Sequence, residues 1–165
     1  MQIPKRKPGK YANQEQDLHI TRAKFDELTR GLEKLKKTTR PYLIEEVKRL
    51  ALLGDFSENF EYQNAKGRLR GINNKILETE YLLAKAIIIE LGKNGIVQLG
   101  SSVSIEISGK QKTFLILGSK ETDPSKGIIS HNSPIGSALI GRRVGDIVKI
   151  YLADKEIECR ITKIL

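Results

Sequence analysis

From Thr21 to Leu53 the apolar residues keep a helical period: Phe25, Leu28, Leu32 and Leu35 are spaced alternately by three and four, with Thr21 placed to cap the start. Beyond Pro41 the stripe resumes as Leu43, Val47 and Leu50, one position out of its earlier frame, so the proline predicts a kink or a local rewinding of the helix. A second arm, from about Ser57 to Leu91, is more regular. Tyr62, Leu69, Ile76 and Leu83 recur every seven residues, with Ala65, Ile72, Thr79 and Ala86 three beyond each, which makes an a/d seam. Only Gly54-Asp55-Phe56 separates the arms, so they are expected to pair as an antiparallel hairpin. Arms of roughly 33 residues at 1.5 Å rise would carry the turn about 50 Å from the base. So long a hairpin makes a poor globular core and a good probe.

From about Lys93 the period changes to two. Val103–Ile107 and Ile147–Tyr151 alternate, 113–117 and 157–164 add further candidate strands, and glycines punctuate them. Ser133-Pro134 followed by Ala138-Leu139-Ile140-Gly141 reads as a short helix with cap, first-turn proline and terminal glycine. The expected fold class is therefore α+β: a long N-terminal helical hairpin (17–92), then a small antiparallel sheet domain with one short helix (93–165). Residues 1–16 hold two prolines, four basic residues and little that is apolar, and are expected to form a mobile basic arm or solvated tail.

The chain has 165 residues and a formal charge of +9, which implies an anionic partner without choosing among nucleic acid, acidic lipid and an acidic protein face. Both halves are basic, with 18 basic and 13 acidic residues up to Gly92 and 11 and 7 beyond it, so placement matters more than the total. The single cysteine, Cys159, excludes an internal disulfide, and no cluster of cysteines and histidines offers a structural zinc site. A reducing cytoplasm fits. No charged-then-apolar leader is seen and the longest apolar runs, such as Ala86 to Ile89, are too short to cross a bilayer.

The tip, residues 54–62, carries three carboxylates. Asp55 and Glu58 are three apart and would share a face at the N-terminus of the second helix. Such a pair could hold a hard divalent cation, magnesium being commonly bound through one or two carboxylates plus phosphate. Asp-x-x-Glu ahead of an apolar run is equally a helix cap followed by a dipole-compensating acid, and spacing does not separate the two. Behind the tip, Lys66, Arg68, Arg70 and Lys75 lie in a stretch without acids from Tyr62 to Glu78. If the hairpin folds about residue 55 or 56, position 75 lies near 36, and Lys36, Lys37 and Arg40 join the same region. That band could hold an RNA backbone or be a solvated surface. Gly67 and Gly71, each costing about 1 kcal/mol against alanine in a helix interior, either permit a close approach or soften the helix.

The run Leu53-Gly54-Asp55-Phe56-Ser57-Glu58-Asn59-Phe60-Glu61-Tyr62 resembles the tip signature of the Gre family of bacterial transcript-cleavage factors, with a Gly-Asp-x-x-Glu-Asn-x-Glu-Tyr block. The likeness continues in Gln63-Asn64-Ala65-Lys66, in Arg68-Leu69-Arg70 and Ile72, which look more like the GreB branch, and in Ile129–Ile135, Leu139-Ile140-Gly141 and Val144-Gly145-Asp146. The resemblance covers roughly residues 18 to 165. Gly67, where GreB-like chains usually carry a further basic residue, and Phe56, which enlarges the tip, depart from the pattern.

The resemblance implies an FKBP-like second domain that docks on the rim of the RNA polymerase secondary channel, against the largest catalytic subunit. It implies a coiled coil inserted into that channel, and a factor acting as a monomer with no membrane partner. Asp55 and Glu58 would be both the catalytic and the metal-binding residues, helping the polymerase retain a second magnesium ion and its attacking water for hydrolysis of backtracked RNA. Lys66, Arg68, Arg70 and Lys75 would contact the nascent RNA 3′ end. The factor would complete the polymerase's site without being an enzyme alone. Only Phe114 and Tyr151 offer aromatic walls in the second half, which argues against prolyl isomerase activity; exposed apolar residues around Ile135 are candidates for docking, with core packing the more common use of any single one. A channel-blocking inhibitor without cleavage, and a coiled-coil nucleic-acid binder independent of polymerase, are the alternatives.

Overall fold

The computed structural model describes residues 17–52, 60–90, 95–152 and 155–165. The first arm begins where Thr21, in extended conformation, accepts a hydrogen bond from Lys24 N–H at 3.2 Å on its side-chain oxygen and caps α1 (Arg22–Lys34). The helix then rewinds into a π segment, Leu35–Thr39, before α2 (Arg40–Ala51). Pro41 explains the site of the rewinding. In a uniform α-helix its ring would crowd the carbonyl of Lys37; the wider turn, with Arg40 N–H donating to Leu35 O, absorbs the misfit without breaking the arm. Together these segments span Arg22–Ala51, about 45 Å at 1.5 Å per residue.

The return arm, α3 (Phe60–Lys85), packs antiparallel on the first through the expected seam. Leu43, Leu50, Ala65 and Ile76 are buried, while Tyr62, Leu69, Ile72 and Leu83 are half-buried. The helix stops at Lys85, short of the expected Leu91. The β-branched run that follows stiffens the backbone toward extended structure, and β2 (Ile87–Ile88) pairs in parallel with β1 (His19–Ile20). Ile87 N–H donates to Leu18 O and Ile89 N–H to Ile20 O, both at 2.9 Å. This two-stranded clasp closes the base of the rod and buries Ile20 completely.

The second unit is a five-stranded sheet in the order β5-β4-β3-β7-β6, built from β3 (Ser102–Ile107), β4 (Lys110–Leu117), β5 (Ile128–Ser130), β6 (Ile147–Leu152) and β7 (Lys155–Ile164). Its pairs are antiparallel except β4–β5, which is parallel, so the sheet is mixed where a purely antiparallel one was expected. A connection that wanders through two short 3-10 turns before β5 delivers that strand in the parallel sense. Period-two alternation puts Val103, Ile105, Val148, Ile150, Cys159 and Ile161 into one core. The short helix α4 (Pro134–Leu139) lies over it and buries Leu139. As expected, Ser133 accepts from Gly136 N–H (3.0 Å) and Pro134 opens the helix.

Rod and sheet are joined at the base. Ser119 N–H donates to Asp17 Oδ2 at 2.6 Å, and the Thr21 N–H and hydroxyl donate to Glu121 Oε2 and Oε1, each at 2.6 Å. Gly118 makes this approach possible, because a Cβ there would stand 1.9 Å from His19 O. At Gly71, in contrast, a Cβ would meet nothing within 4 Å, so this glycine serves no close approach within the described chain. Gly118→Ala is therefore expected to destabilise the protein by about 1–3 kcal/mol, while Gly71→Ala stabilises it by up to about 1 kcal/mol, as read by denaturant unfolding.

Candidate nucleic-acid interface on the helical rod

Of the expected site residues, Asp55 and Glu58 lie outside the described residues, as does the connection Gly54–Phe56. Lys66, Arg68, Arg70 and Lys75 all project from α3 and are exposed, but they do not form one band. At 3.6 residues per turn, Lys66 and Arg70 share one face, whereas Arg68 and Lys75, seven apart, share another. Lys66 and Arg70 flank a shallow depression whose remaining walls are Gln63 and Gly67. Lys66 also stands over the Tyr62 ring, with Nζ 5.8 Å from its centroid. A glycine at 67 leaves the floor between the two cations open.

Arg68 is engaged. Its Nη2 lies 3.1 Å from Glu46 Oε2 across the hairpin. Lys36 and Arg40 line a depression with Asn73, Ile76, Leu77 and Glu80, so they do come beside the Lys75 turn. Lys36 pairs with Glu80, a few positions beyond the partner that a turn at 55 or 56 would set; the π segment, with its extra residue in one turn, contributes to this offset. Lys37 Nζ lies 3.6 Å from Glu33. Acids thus balance Lys36 and Lys37, while Arg40 has no acidic partner among the described residues. Arg70 and Lys75 have no acidic partner among the described residues, which leaves them, with Lys66 and, at the base, Lys85 against Tyr81, as the cations of α3 open to an anion.

Two further placements matter. Ile135 is half-buried and packs against the sheet core; the large apolar side chains exposed in the described sheet domain are Leu165 and, on and beside edge strand β6, Ile140, Val144, Ile147 and Tyr151. Ile147 and Tyr151 point outward by the same alternation that buries Val148 and Ile150. The histidines, too far apart in sequence to suggest a cluster, come together: His19, His131 and Asp17 each offer a ligand atom within 4.8 Å of the others. No spacing rule would have found this, since the rod intervenes between the two histidines. Cys159 is buried, and burial pushes its thiol up from the usual range, so it offers no reactive thiolate.

Two family models match the chain: the N-terminal domain of transcription elongation factors over residues 18–88, and the C-terminal domain of GreA/GreB transcription elongation factors over residues 92–165. GreA of Staphylococcus carnosus is 40% identical over 149 residues, covering 88% of this chain and 93% of that protein. The chain belongs to the GreA/GreB family of transcription elongation factors. GreA of Metamycoplasma arthritidis is 36% identical over 149 residues, covering 87% of this chain and 93% of its own length. Among solved structures, GreA factor homolog 1 of Thermus thermophilus is 26% identical and covers 91% of this chain and 99% of that one, with a TM-score of 0.42; the assignment rests on the sequence matches. These relatives carry the GreA name, so the GreB-like reading of Arg68-Leu69-Arg70 and Ile72 finds no support in them. Family membership implies binding to RNA polymerase, and a Gre factor is an elongation factor rather than an enzyme by itself. No helix among the described residues is long and apolar enough to cross a membrane.

The rod's stability lies in its seam and not in its surface pairs. Arg68→Ala is expected to change unfolding free energy by less than about 1 kcal/mol, because the pair with Glu46 is half exposed. Ile76→Ala, which opens a cavity in the seam, is expected to cost about 2–5 kcal/mol. Urea unfolding of the two variants checks the contrast.

Proposed function

We propose that this Gre factor inserts its helical rod into the secondary channel of bacterial RNA polymerase and stimulates magnesium-dependent cleavage of backtracked nascent RNA. The observation that carries the reading is the rod itself: two antiparallel arms of which the first is about 45 Å long, joined through the sequence Gly54-Asp55-Phe56-Ser57-Glu58. Any chemistry at residues 53–59 is thereby held far along the chain from the sheet domain. The apolar side chains beside β6 give that domain a surface with which to dock on the polymerase rim.

The donor set suits the proposed chemistry. Asp55 and Glu58 supply hard carboxylate oxygens, which fit magnesium and disfavour softer ions. When bound between these acids and the polymerase's own carboxylates, a second magnesium ion would supply Lewis acidity for activating water. Asp55 and Glu58 would hold and orient, while Lys66 and Arg70 would place phosphates of the RNA 3′ segment along their shared face. Arg68 and Lys75 would act from the other face, Arg68 only after releasing Glu46.

Retention of both acids supports cleavage over plain channel blocking, and the family match supports polymerase over free nucleic acid as the partner. In a stalled, backtracked polymerase complex with magnesium, the protein is expected to shorten the RNA from its 3′ end. Asp55→Asn or Glu58→Gln is expected to slow this on the order of a hundredfold, with polymerase binding intact. Cleavage that survives both changes would remove the acids from the mechanism; cleavage and binding lost together would make them structural.

A further inference from the structure

The fold brings both histidines of the chain to one carboxylate. His19 Nδ1 lies 2.9 Å from Asp17 Oδ1, and His131 Nδ1 lies 3.5 Å from Asp17 Oδ2. The two imidazole rings meet edge to face, with centroids 5.7 Å apart. Asp17 is the most enclosed of the three, its side chain 7% exposed. The backbone N–H groups of His19 (3.1 Å, to Oδ1) and Ser119 (2.6 Å, to Oδ2) hold its carboxylate in place. His131 Nδ1 is sealed from solvent yet finds no hydrogen-bond partner among the described residues. Buried ring nitrogens normally have a partner, and a ring nitrogen set 3.5 Å from a carboxylate oxygen is accounted for by a cation between the two.

We propose that Asp17, His19 and His131 form a binding site for one divalent transition-metal ion of the zinc type, which clamps the base of the helical rod to the sheet domain. Two imidazole nitrogens and a carboxylate are a donor set for zinc, cobalt or nickel and a poor one for magnesium. Bond lengths of about 2.0–2.2 Å in a tetrahedral site place ligand atoms roughly 3.4 Å apart; one donor atom from each of the three residues lies within 4.8 Å of the others, and each imidazole has its nearer carboxylate oxygen at 2.9 or 3.5 Å, so small side-chain rotations close the set around an ion. Three protein ligands leave a fourth position for water, and His19, 35% exposed, gives the ion a route in.

The position of the ligands gives the ion a mechanical role. Asp17 and His19 belong to the strand that opens the rod and the residues just before it, and His131 follows β5 in the sheet domain. Bound there, the ion adds a third tie to those made through Ser119 and Glu121. Because the ligands converge only when rod and sheet are docked, the folded chain alone holds the ion, and binding raises its stability. Nothing in this site depends on the tip acids or on transcript cleavage.

The test is calorimetric titration of zinc chloride into the untagged, full-length protein after EDTA dialysis, at neutral pH, with magnesium chloride in parallel. One zinc per chain is expected, with a melting temperature raised by roughly 5 °C when free zinc exceeds Kd about a hundredfold; magnesium at the same concentration does neither. His131→Gln is expected to weaken zinc binding more than about tenfold while keeping the far-ultraviolet circular dichroism of the parent. Cobalt titration of the unaltered protein reads the site without any variant: visible absorption bands of a four-coordinate, nitrogen-ligated ion are expected. Absence of saturable zinc binding, absence of those cobalt bands, or a folded His131→Gln protein that binds zinc like the parent would each overturn the proposal.

Discussion

A rod made of two helices sharing one seam has no interior of its own beyond a single row of side chains, so its direction is set by how its base is held. Here the base is held by Glu121, whose two carboxylate oxygens take both the backbone N–H and the hydroxyl of Thr21. Thr21 at the same time caps the first helix. One residue thus fixes where the rod begins and what it is fastened to. Charge-assisted hydrogen bonds of this kind are short and directional, and the close approach at Gly118 leaves the strand beside them no other course. The parallel clasp of β1 with β2 then ties the end of the return arm to the start of the outgoing one, so the whole hairpin inherits the orientation of a few residues.

The two units divide the work by their chemistry. The sheet domain has a continuous apolar core and leaves apolar side chains along one edge strand, while the rod buries little and displays charge. That division suits a family whose membership implies binding to RNA polymerase, and on the proposed function the sheet domain would dock while the rod reaches. Among the cations on the tip-side part of α3, pairing sorts the one already balanced, Arg68 with Glu46, from those still open, Lys66, Arg70 and Lys75. Net charge alone could not have made this distinction, since every one of them contributes equally to it.

Much of the fold was legible in the sequence because it depends on local rules. Heptad spacing gave the seam, Thr21 and Ser133 announced their helices, and Pro41 marked the rewinding to within a turn. What escaped depends on contacts between distant segments. The two-residue strands β1 and β2 are too short to leave a period, and each exists only because the other lies beside it. The parallel sense of β5 is set by the course of its connection, not by its three residues. Register across the hairpin is offset by a few positions, and the extra residue of the π turn is a part of that offset that counting cannot see. The histidine pair had no signature at all, since His19 and His131 become neighbours only after rod and sheet have docked.

On the proposed function, everything turns on reach: Asp55 and Glu58 would act because a rod of fixed length carries them to a distant site. The most direct measurement removes Leu28–Lys34 and Ile76–Leu82 together, one heptad from each arm, which keeps the seam pattern, the tip and Lys66, Arg68, Arg70 and Lys75 while shortening the rod by about 10 Å. Cleavage of backtracked RNA and affinity for polymerase are then compared with those of the parent protein. The account predicts that the shortened factor still binds and competes with the parent but no longer promotes cleavage. Cleavage at the parental rate by the shortened rod would contradict it.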